Sequence, residues 1–161
     1  MEKKEQLSHI TSDGKIAMVD VGDKQPTLRV AIVRGEVLLS ARTLELLKNA
    51  ALPKGDALGT AKVAGIMAAK RTAELIPLCH TVPLSFVDVR FAISDNPPAI
   101  HIESEVRTCS KTGVEMEAFV AAQVAAMTIY DMCKAVQKDI ILTNTRLIRK
   151  SGGKSGEYTA P

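Results

Sequence analysis

LSFVDVRFAISDNPPAIHIESEVRTC, residues 84–109, consists of two segments in which apolar and polar side chains alternate. Alternation with a period of two is typical of strands that have one buried face. Between the segments, residues 95–98 have the sequence DNPP, which is a strong turn signal. The stretch therefore predicts a β-hairpin with strands over Leu84–Ser94 and Ala99–Cys109.

Helices and further strands are predicted on both sides of this hairpin. Ser40 is a typical N-cap for a short helix, and Gly35 predicts a bend in the strand before it. In chain order, the predicted elements around the hairpin are a strand over Leu28–Leu39, helices over Ala41–Asn49 and Thr60–Leu75, a long helix from Thr112 or Gly113 to about Gln137, and a strand over Asp139–Lys150. This mixture favours an α+β layer, with helices on one face of a mostly antiparallel sheet.

Size and composition indicate a single globular domain over residues 1–161. Of the 161 residues, 46% are hydrophobic and 24% are charged, and this length is sufficient for a core of its own. The polar segment 1–26 carries turn signals, so we predict a partly ordered N-terminal arm. Residues 151–161 are rich in Gly, Ser and Lys, and we expect a flexible tail there.

Charge and aromatic content limit the kinds of ligand. A net charge of +3 permits a polyanionic small molecule but is far from the dense basic surface of a nucleic-acid-binding protein. Aromatic residues make up 3% of the chain and Trp is absent, so stacking platforms for bases are scarce. We therefore expect a small-molecule substrate and no nucleic acid.

Cysteine usage and the N-terminal sequence predict a cytoplasmic protein. The three cysteines include no CxxC pair, which is typical of free thiols in a reducing compartment rather than of disulfides or a structural zinc site. Residues 1–9 are charged and lack the apolar segment of a secretory signal. The longest apolar run, about residues 118–130, is too short to span a bilayer, so we expect no membrane partner.

The longest predicted helix indicates a homo-oligomer. Residues 118–129, AFVAAQVAAMTI, are apolar or small in almost every direction, whereas a helix lying on a sheet is normally polar over half its circumference. A second subunit on the outer face would bury such a helix; a helix enclosed within one large core is the alternative. Glu117 and Asp131 are fourteen residues apart, or about 21 Å along the axis, so one small-molecule site would most easily take them from two chains.

Four segments resemble the cyclic pyranopterin monophosphate synthases, the family that catalyses the second step of molybdenum cofactor biosynthesis. The matching segments are KGDALGTAKVAGIMAAKRT at 54–72, LIPLCH at 75–80, KTGVEMEAFVAAQVAAMTIYDMCKAVQK at 111–138 and KSGGKSG at 150–156. The resemblance covers nearly the whole chain and is weakest in the first third. Gly59 stands where a small Ala is expected and Thr81 where the family more often has Pro, but neither departure removes a chemical group.

The resemblance implies a ferredoxin-like fold and a defined reaction. Members of this family are α+β proteins that assemble as hexamers, as trimers of dimers, with the active site at the dimer interface. They convert 3′,8-cyclo-7,8-dihydroguanosine 5′-triphosphate, a cyclised GTP derivative, into cyclic pyranopterin monophosphate with release of diphosphate, and so act as lyases. No organic cofactor is implied, and a triphosphate substrate is compatible with an accompanying Mg²⁺.

By the same resemblance, Asp131 and Lys134 are the catalytic pair. They are three residues apart and therefore on one face of a helix. Each step of pterin formation moves protons, and a carboxylate beside an amine with tuned pKa values suits that chemistry. Without the resemblance, the two residues would be interpreted as an ordinary helix salt bridge.

Two further segments are implied to line the substrate pocket. His80 is either a donor to the substrate or a proton carrier, since imidazole titrates near neutral pH; zinc at Cys79–His80 would lack further ligands at suitable spacing. Glu117 can accept hydrogen bonds from guanine-derived N–H groups, whereas the alternative for acids at a helix start is stabilisation of the helix dipole. The implied pocket residues are Leu78, Cys79, His80, Glu115, Met116 and Glu117.

A triphosphate also requires cationic side chains, for which Arg offers a bidentate grip and Lys a point charge. The candidates are Arg29, Lys54, Lys70, Lys150 and Lys154, although most surface lysines are only solvated. Residues 153–155, GKS, resemble part of a P-loop, but no Gly stands five residues earlier and no helix is predicted to follow, which excludes a Walker-type NTPase. A tail that closes over bound phosphates is the remaining interpretation of this segment.

Two other classes of function compete with an enzyme. A non-catalytic nucleotide- or RNA-binding module would need exposed aromatic residues on its sheet, but Phe86 and Phe91 have opposite parity along their strand. A purely structural assembly subunit would explain the apolar helix, yet it leaves Asp131, Lys134 and the Lys-rich tail without a purpose. An enzyme is therefore favoured.

Overall fold

The computed structural model describes residues 9–10, 13–154 and 156–161. Within these ranges, the elements in chain order are β1 (Thr27–Leu38), α1 (Ala41–Lys48), α2 (Ala57–Ala69), α3 (Thr72–Leu75), β2 (Leu84–Asp95), β3 (Pro98–Ser110), α4 (Glu115–Cys133), β4 (Ile141–Ser151) and β5 (Tyr158–Thr159). Residues 1–8, 11, 12 and 155 lie outside the described ranges, so the predicted arm and tail are described only in part.

One antiparallel sheet organises the chain. Its strand order is β2-β3-β1-β4-β5, and every pair of neighbours is antiparallel. The connections from β1 to β2 and from β3 to β4 contain α2 and α4, which pack against each other and against the same face of the sheet. The predicted α+β fold, ferredoxin-like with helices on one face, is confirmed.

The hairpin predicted from residues 84–109 is the pair β2 and β3. Its register runs from Asp95 opposite Pro98 to Leu84 opposite Thr108. On β3, Ile100, Ile102 and Val106 are buried among the core residues that face the helices, as the alternating pattern predicts.

Local deviations from the predicted elements have identifiable causes. α2 begins at Ala57, three residues earlier than predicted, because the carboxylate of Asp56 accepts a hydrogen bond from the backbone N–H of Gly59, 2.9 Å away, and caps the helix. The predicted helix Thr60–Leu75 is interrupted after α2, since Arg71 has a non-helical backbone conformation. The predicted bend at Gly35 is confirmed by a register shift between β1 and β4 at that residue.

α2 and α4 approach each other through small residues. A Cβ atom added at Gly65 would lie 2.8 Å from the carbonyl oxygen of Ala121 and 3.0 Å from Cγ2 of Val89. Ala121 and Ala125 of α4 are completely buried beneath this contact. The two helices therefore pack closely because this part of their interface lacks larger side chains.

The outer surfaces of the two helices carry exposed apolar side chains in the single chain. Val63 and Met67 of α2 are 58% and 50% exposed, and Met116 and Met127 of α4 are 37% and 51% exposed. Val63 and Met67 are four residues apart and therefore lie on one face of α2. Exposed apolar groups on adjacent helices favour an interaction surface, while the second subunit over the longest helix stays a prediction.

We predict that Gly65→Ala lowers the free energy of unfolding by about 1–3 kcal/mol, because its methyl group would force α2 away from α4. Alanine is otherwise the better helix former by about 1 kcal/mol, so a fall in the free energy of unfolding would come from disturbed packing between the helices. Urea unfolding measures the effect, with Ala64→Gly as the control for propensity alone. A Gly65→Ala protein more stable than the wild type would contradict the close packing.

Candidate active site

Most of the residues singled out by the sequence fall into two clusters at opposite ends of α4. The pocket cluster surrounds a cavity at the N-terminal end of α4 and comprises Leu78, Cys79, His80, Glu115, Met116 and Glu117. The ion cluster lies at the C-terminal end of α4 and comprises Lys54, Asp131 and Lys134. Since Glu117 and Asp131 are fourteen residues apart on one continuous helix, the clusters are about 21 Å apart along its axis.

The pocket cluster brings two distant chain segments to one cavity of about 390 Å³. The loop after α3 supplies residues 78–80, and a turn positions them because the N–H of Cys79 donates to the carbonyl of Ile76 at 3.1 Å. The start of α4 supplies residues 115–117 on the other side. The six residues that the resemblance places around a substrate therefore line one cavity.

Glu117 is the buried acid of the pocket cluster. Glu117 is only 5% exposed, and desolvation raises the pKa of its carboxyl group above the ordinary value. A hydrogen bond from its own backbone N–H opposes this shift, while the neighbouring charge of Glu115 adds to it. Burial, and secondarily the charge of Glu117, also raises the pKa of the Cys79 thiol. The cavity thus favours groups that offer N–H donors or positive charge to Glu117.

Cationic side chains lie beside the pocket cluster. Lys150 on β4 binds the carboxylate of Glu115 at 3.0 Å, and Arg29 donates to the backbone carbonyls of Ser110 and Lys111 at 3.0 and 3.1 Å. The backbone of Gly153 passes directly beside the Arg29 guanidinium. The start of the tail therefore lies against the side chain of Arg29.

The ion cluster consists of one carboxylate shared by two ammonium groups. Lys54 Nζ lies 2.6 Å from one oxygen of Asp131, and Lys134 Nζ lies 2.7 Å from the other. The hydrogen bond from Lys134, followed by that from Lys54, lowers the pKa of Asp131 to about 2. The bond with Asp131 in turn raises the pKa of Lys134. At neutral pH the cluster is therefore one carboxylate between two ammonium groups.

The position of Lys54 follows from the local sequence. The N–H of Gly55 donates to the carbonyl of Leu52 at 3.0 Å and closes a turn, in which Gly55 has a φ of 85° that favours glycine. Leu52 is buried in the core and fixes the start of this turn. Because α2 runs antiparallel to α4, the loop before α2 lies beside the end of α4, where Asp131 is.

Two predicted cations join neither cluster through a described contact. Lys70 is the exposed C-cap residue of α2, and Lys154 is exposed directly after Gly153. Within the part of the chain that the structure describes, neither has an ion pair or side-chain hydrogen bond. Their assignment to the substrate stays a prediction.

The N-terminal arm contributes to the pocket cluster in a way that the sequence analysis missed. His9, Val19, Val21 and Lys24 line the same cavity, and the carbonyl oxygen of Val19 lies 2.8 Å from Nε2 of His80. No hydrophobic periodicity marks the segment Met18–Val21 as part of a site.

The opposite face of the sheet holds a larger cavity, of about 710 Å³, that contains none of the predicted site residues. Two of its arginines, Arg34 and Arg90, bind the same carboxylate of Glu103 at 2.7 and 2.8 Å. On the same strand as Arg90, Phe86 is covered by the guanidinium of Arg107, 4.8 Å from the ring centre. This face therefore does not present the open aromatic platform that an RNA-binding module needs.

Among residues 9–10, 13–154 and 156–161, no group of three or more His, Cys, Asp or Glu side chains is arranged to hold a metal ion. In the same ranges, no helix has the length and apolar character needed to cross a bilayer.

Comparison with known proteins identifies close relatives over the whole length. Residues 18–153 match the model of the MoaC family. The chain is 64% identical over 160 residues to the cyclic pyranopterin monophosphate synthase of Nitratidesulfovibrio vulgaris, with 99% of both chains aligned. It is 66% identical over 154 residues to the enzyme of the same name from Oleidesulfovibrio alaskensis, covering 96% of this chain and 97% of the relative. The enzyme of that name from Chloroflexus aurantiacus is 52% identical over 160 residues, covering 99% and 98%.

We predict that Glu117→Gln raises the free energy of unfolding at pH 7. Because the folded chain raises the pKa of Glu117, the protonated acid favours folding, and this stability is lost as the pH rises through the folded-state pKa. Glutamine carries no charge, so the variant avoids the cost of burying a charged carboxylate at pH 7. Urea unfolding at pH 4 and pH 7 should show a gain that is larger at pH 7.

Glu115→Gln is the matched control, because it removes the carboxylate that binds Lys150 and should give no gain. If Glu117→Gln is less stable than the wild type at pH 7 while its secondary structure is intact, the desolvated acid is not a source of instability.

Proposed function

The chain belongs to the MoaC family, and from this premise we propose that it acts in molybdenum cofactor biosynthesis as a cyclic pyranopterin monophosphate synthase. Its substrate is 3′,8-cyclo-7,8-dihydroguanosine 5′-triphosphate, and its products are cyclic pyranopterin monophosphate and diphosphate. A hydroxyl group of the substrate attacks the α-phosphorus and diphosphate leaves, so a phosphorus–oxygen bond is broken and we assign the enzyme to the lyases.

The observation that supports this proposal most is the separation of the two clusters along α4. A small substrate that meets Glu117 at one end of this helix is too far from Asp131 of the same chain, about 21 Å away along the axis. A second chain that packs on the helices would bring its own ion cluster to the pocket cluster of the first. We therefore propose an active site shared between two chains.

The exposed apolar side chains on α2 and α4 support an assembly of this kind. Burial of Val63, Met67 and Met127 would stabilise contacts between subunits through the hydrophobic effect. We propose a homohexamer, arranged as a trimer of dimers, in which each dimer interface contains active sites. No nucleic acid and no membrane take part.

The pocket cluster is suited to the guanine-derived part of the substrate. The Glu117 carboxylate accepts hydrogen bonds from ring and amino N–H groups, and these bonds stabilise the charged form that burial disfavours. Leu78 and Met116 supply the apolar sides of the cavity. Arg29, Lys150, Lys154 and Lys70 are the proposed cations for the triphosphate, because a charge-assisted bond to phosphate is stronger than a neutral one.

The ion cluster is suited to proton transfer at the reacting atoms. The hydrogen bonds from Lys134 and Lys54 keep Asp131 a carboxylate at neutral pH, so it becomes an effective proton acceptor only once the substrate loosens these bonds. Lys134 is an ammonium group held at 2.7 Å from that carboxylate, so it can stabilise developing negative charge on the substrate. Lys54 holds the other oxygen of Asp131 and fixes its orientation.

No organic cofactor is part of the proposed reaction. The triphosphate itself offers oxygen ligands that suit Mg²⁺, so an accompanying metal ion would enter with the substrate. The three cysteines are free thiols, which is compatible with the cytoplasmic location that we propose.

We predict that Asp131→Asn and Lys134→Ala each lower the rate of pterin formation by about 10²–10⁴-fold, the usual contribution of a positioned acid or base. Incubation with the cyclised GTP derivative measures diphosphate release and an oxidisable pterin. Asp95→Asn is the matched control, because Asp95 forms an exposed pair with Lys48 at 2.8 Å and belongs to neither cluster. Near-normal product yield from either cluster variant would refute the assigned pair.

We also predict complementation between subunits. Mixing Asp131→Asn chains with Glu117→Gln chains should restore part of the activity, because hybrid dimers contain some sites with both native clusters. Subunit exchange is verified by native mass spectrometry with one variant isotopically labelled. Complete exchange without any recovered activity would count against a site shared between two chains.

A further inference from the structure

The ring of His80 is bound by a backbone group of the N-terminal arm. Its Nε2 atom lies 2.8 Å from the carbonyl oxygen of Val19, a residue 61 positions earlier in the chain. A carbonyl oxygen only accepts hydrogen bonds, so Nε2 must carry the proton that forms this bond. In neutral imidazole the proton-free nitrogen is then Nδ1.

The arm that supplies this carbonyl is anchored on both sides of Val19. Before Val19, the N–H of Ala17 donates to the carbonyl of His9 at 3.0 Å. After Val19, the N–H of Gly22 donates to the carboxylate of Asp20 at 2.8 Å, and the ammonium group of Lys111 donates to the carbonyl of Gly22. The Val19 carbonyl is thus part of a segment that is tied to itself and to the loop before α4.

The same segment forms one wall of the pocket cluster. Val19, Val21 and Lys24 line the same cavity as Glu115 and Glu117, and His80 lines it as well. The contact between Val19 and His80 therefore lies at the edge of the space that the proposed substrate occupies, and it determines which ring nitrogen can exchange a proton there.

We propose that Val19 is a positioning residue, whose backbone carbonyl holds His80 as the Nε2–H tautomer and leaves Nδ1 to exchange a proton with the substrate. This inference rests on the proposed function. In the step, Nδ1 takes a proton from the substrate and the ring becomes imidazolium; Nε2–H stays bound to the carbonyl, and the proton on Nδ1 is later returned. A hydrogen bond from the charged ring to Val19 is stronger than that from the neutral ring, which stabilises the intermediate charge.

The first test is the tautomer of His80 without any substrate. In ¹⁵N-histidine NMR of the full chain above the titration range of the ring, we expect His80 to show a protonated Nε2 and a proton-free Nδ1. The chain has three histidines, and loss of one signal pair in His80→Asn assigns the resonances. A proton on Nδ1 of His80 in the intact protein would overturn the inference.

Variants of the arm distinguish the effect of the Val19 contact on His80 from the effect of the rest of the arm. Deletion of residues 1–20 should convert His80 to a mixture of tautomers, whereas deletion of residues 1–8 is the matched control and should leave the signals unchanged. Because the longer deletion can affect folding, a second variant replaces the peptide bond between Val19 and Asp20 by an ester. This change weakens the Val19 carbonyl as an acceptor and leaves all side chains intact.

The ester variant should lose about tenfold in kcat, with KM within about twofold of the wild type, since one net hydrogen bond is changed. It should also show a detectable Nδ1–H population in the NMR spectrum. A normal kcat, or a reduced kcat with an unchanged tautomer, would contradict positioning by Val19. Absence of pterin formation by the wild type would instead refute the proposed function, because the tautomer measurement requires no substrate.

Discussion

The fixed length of helix α4 is the constraint on which the rest of the site depends. α4 carries Glu117 near its first turn and Asp131 near its last, and a helix fixes such residues about 21 Å apart. The same helix packs against α2 where Gly65 meets Ala121, and a continuous helix cannot bring its two ends together. If one active site takes groups from both ends of α4, those ends must therefore belong to two different chains. The exposed apolar side chains on α2 and α4 would then be buried where the second chain binds.

The two acids at the ends of α4 have opposite electrostatic environments. Burial raises the pKa of Glu117, whereas bonds to Lys134 and Lys54 lower the pKa of Asp131 to about 2. Titratable groups whose surroundings shift their pKa values in opposite directions are typical of acid–base sites with divided roles. One cluster is a desolvated pocket that favours N–H donors, and the other is a solvated carboxylate between ammonium groups. In the proposed function, substrate recognition and proton transfer therefore belong to separate parts of one chain.

Much of the fold could be predicted because its signals are local. The alternating strands of the hairpin and the N-cap at Ser40 require only neighbouring residues, and both are confirmed. The interruption of the helix at Arg71 and the contact of Val19 with His80 depend on tertiary packing or on a backbone carbonyl, which every residue carries and no pattern distinguishes. The ion pair of Lys54 with Asp131 spans elements far apart in the chain, so spacing alone did not connect them.

A site shared between two chains is best tested by a crystal structure of the assembled protein with the cyclised GTP derivative bound, obtained with the slow Lys134→Ala variant. We expect one ligand held by Glu117 of one chain and by Asp131 of another, each within hydrogen-bonding distance. A ligand bound entirely within a single chain, or one remote from Asp131, would contradict it.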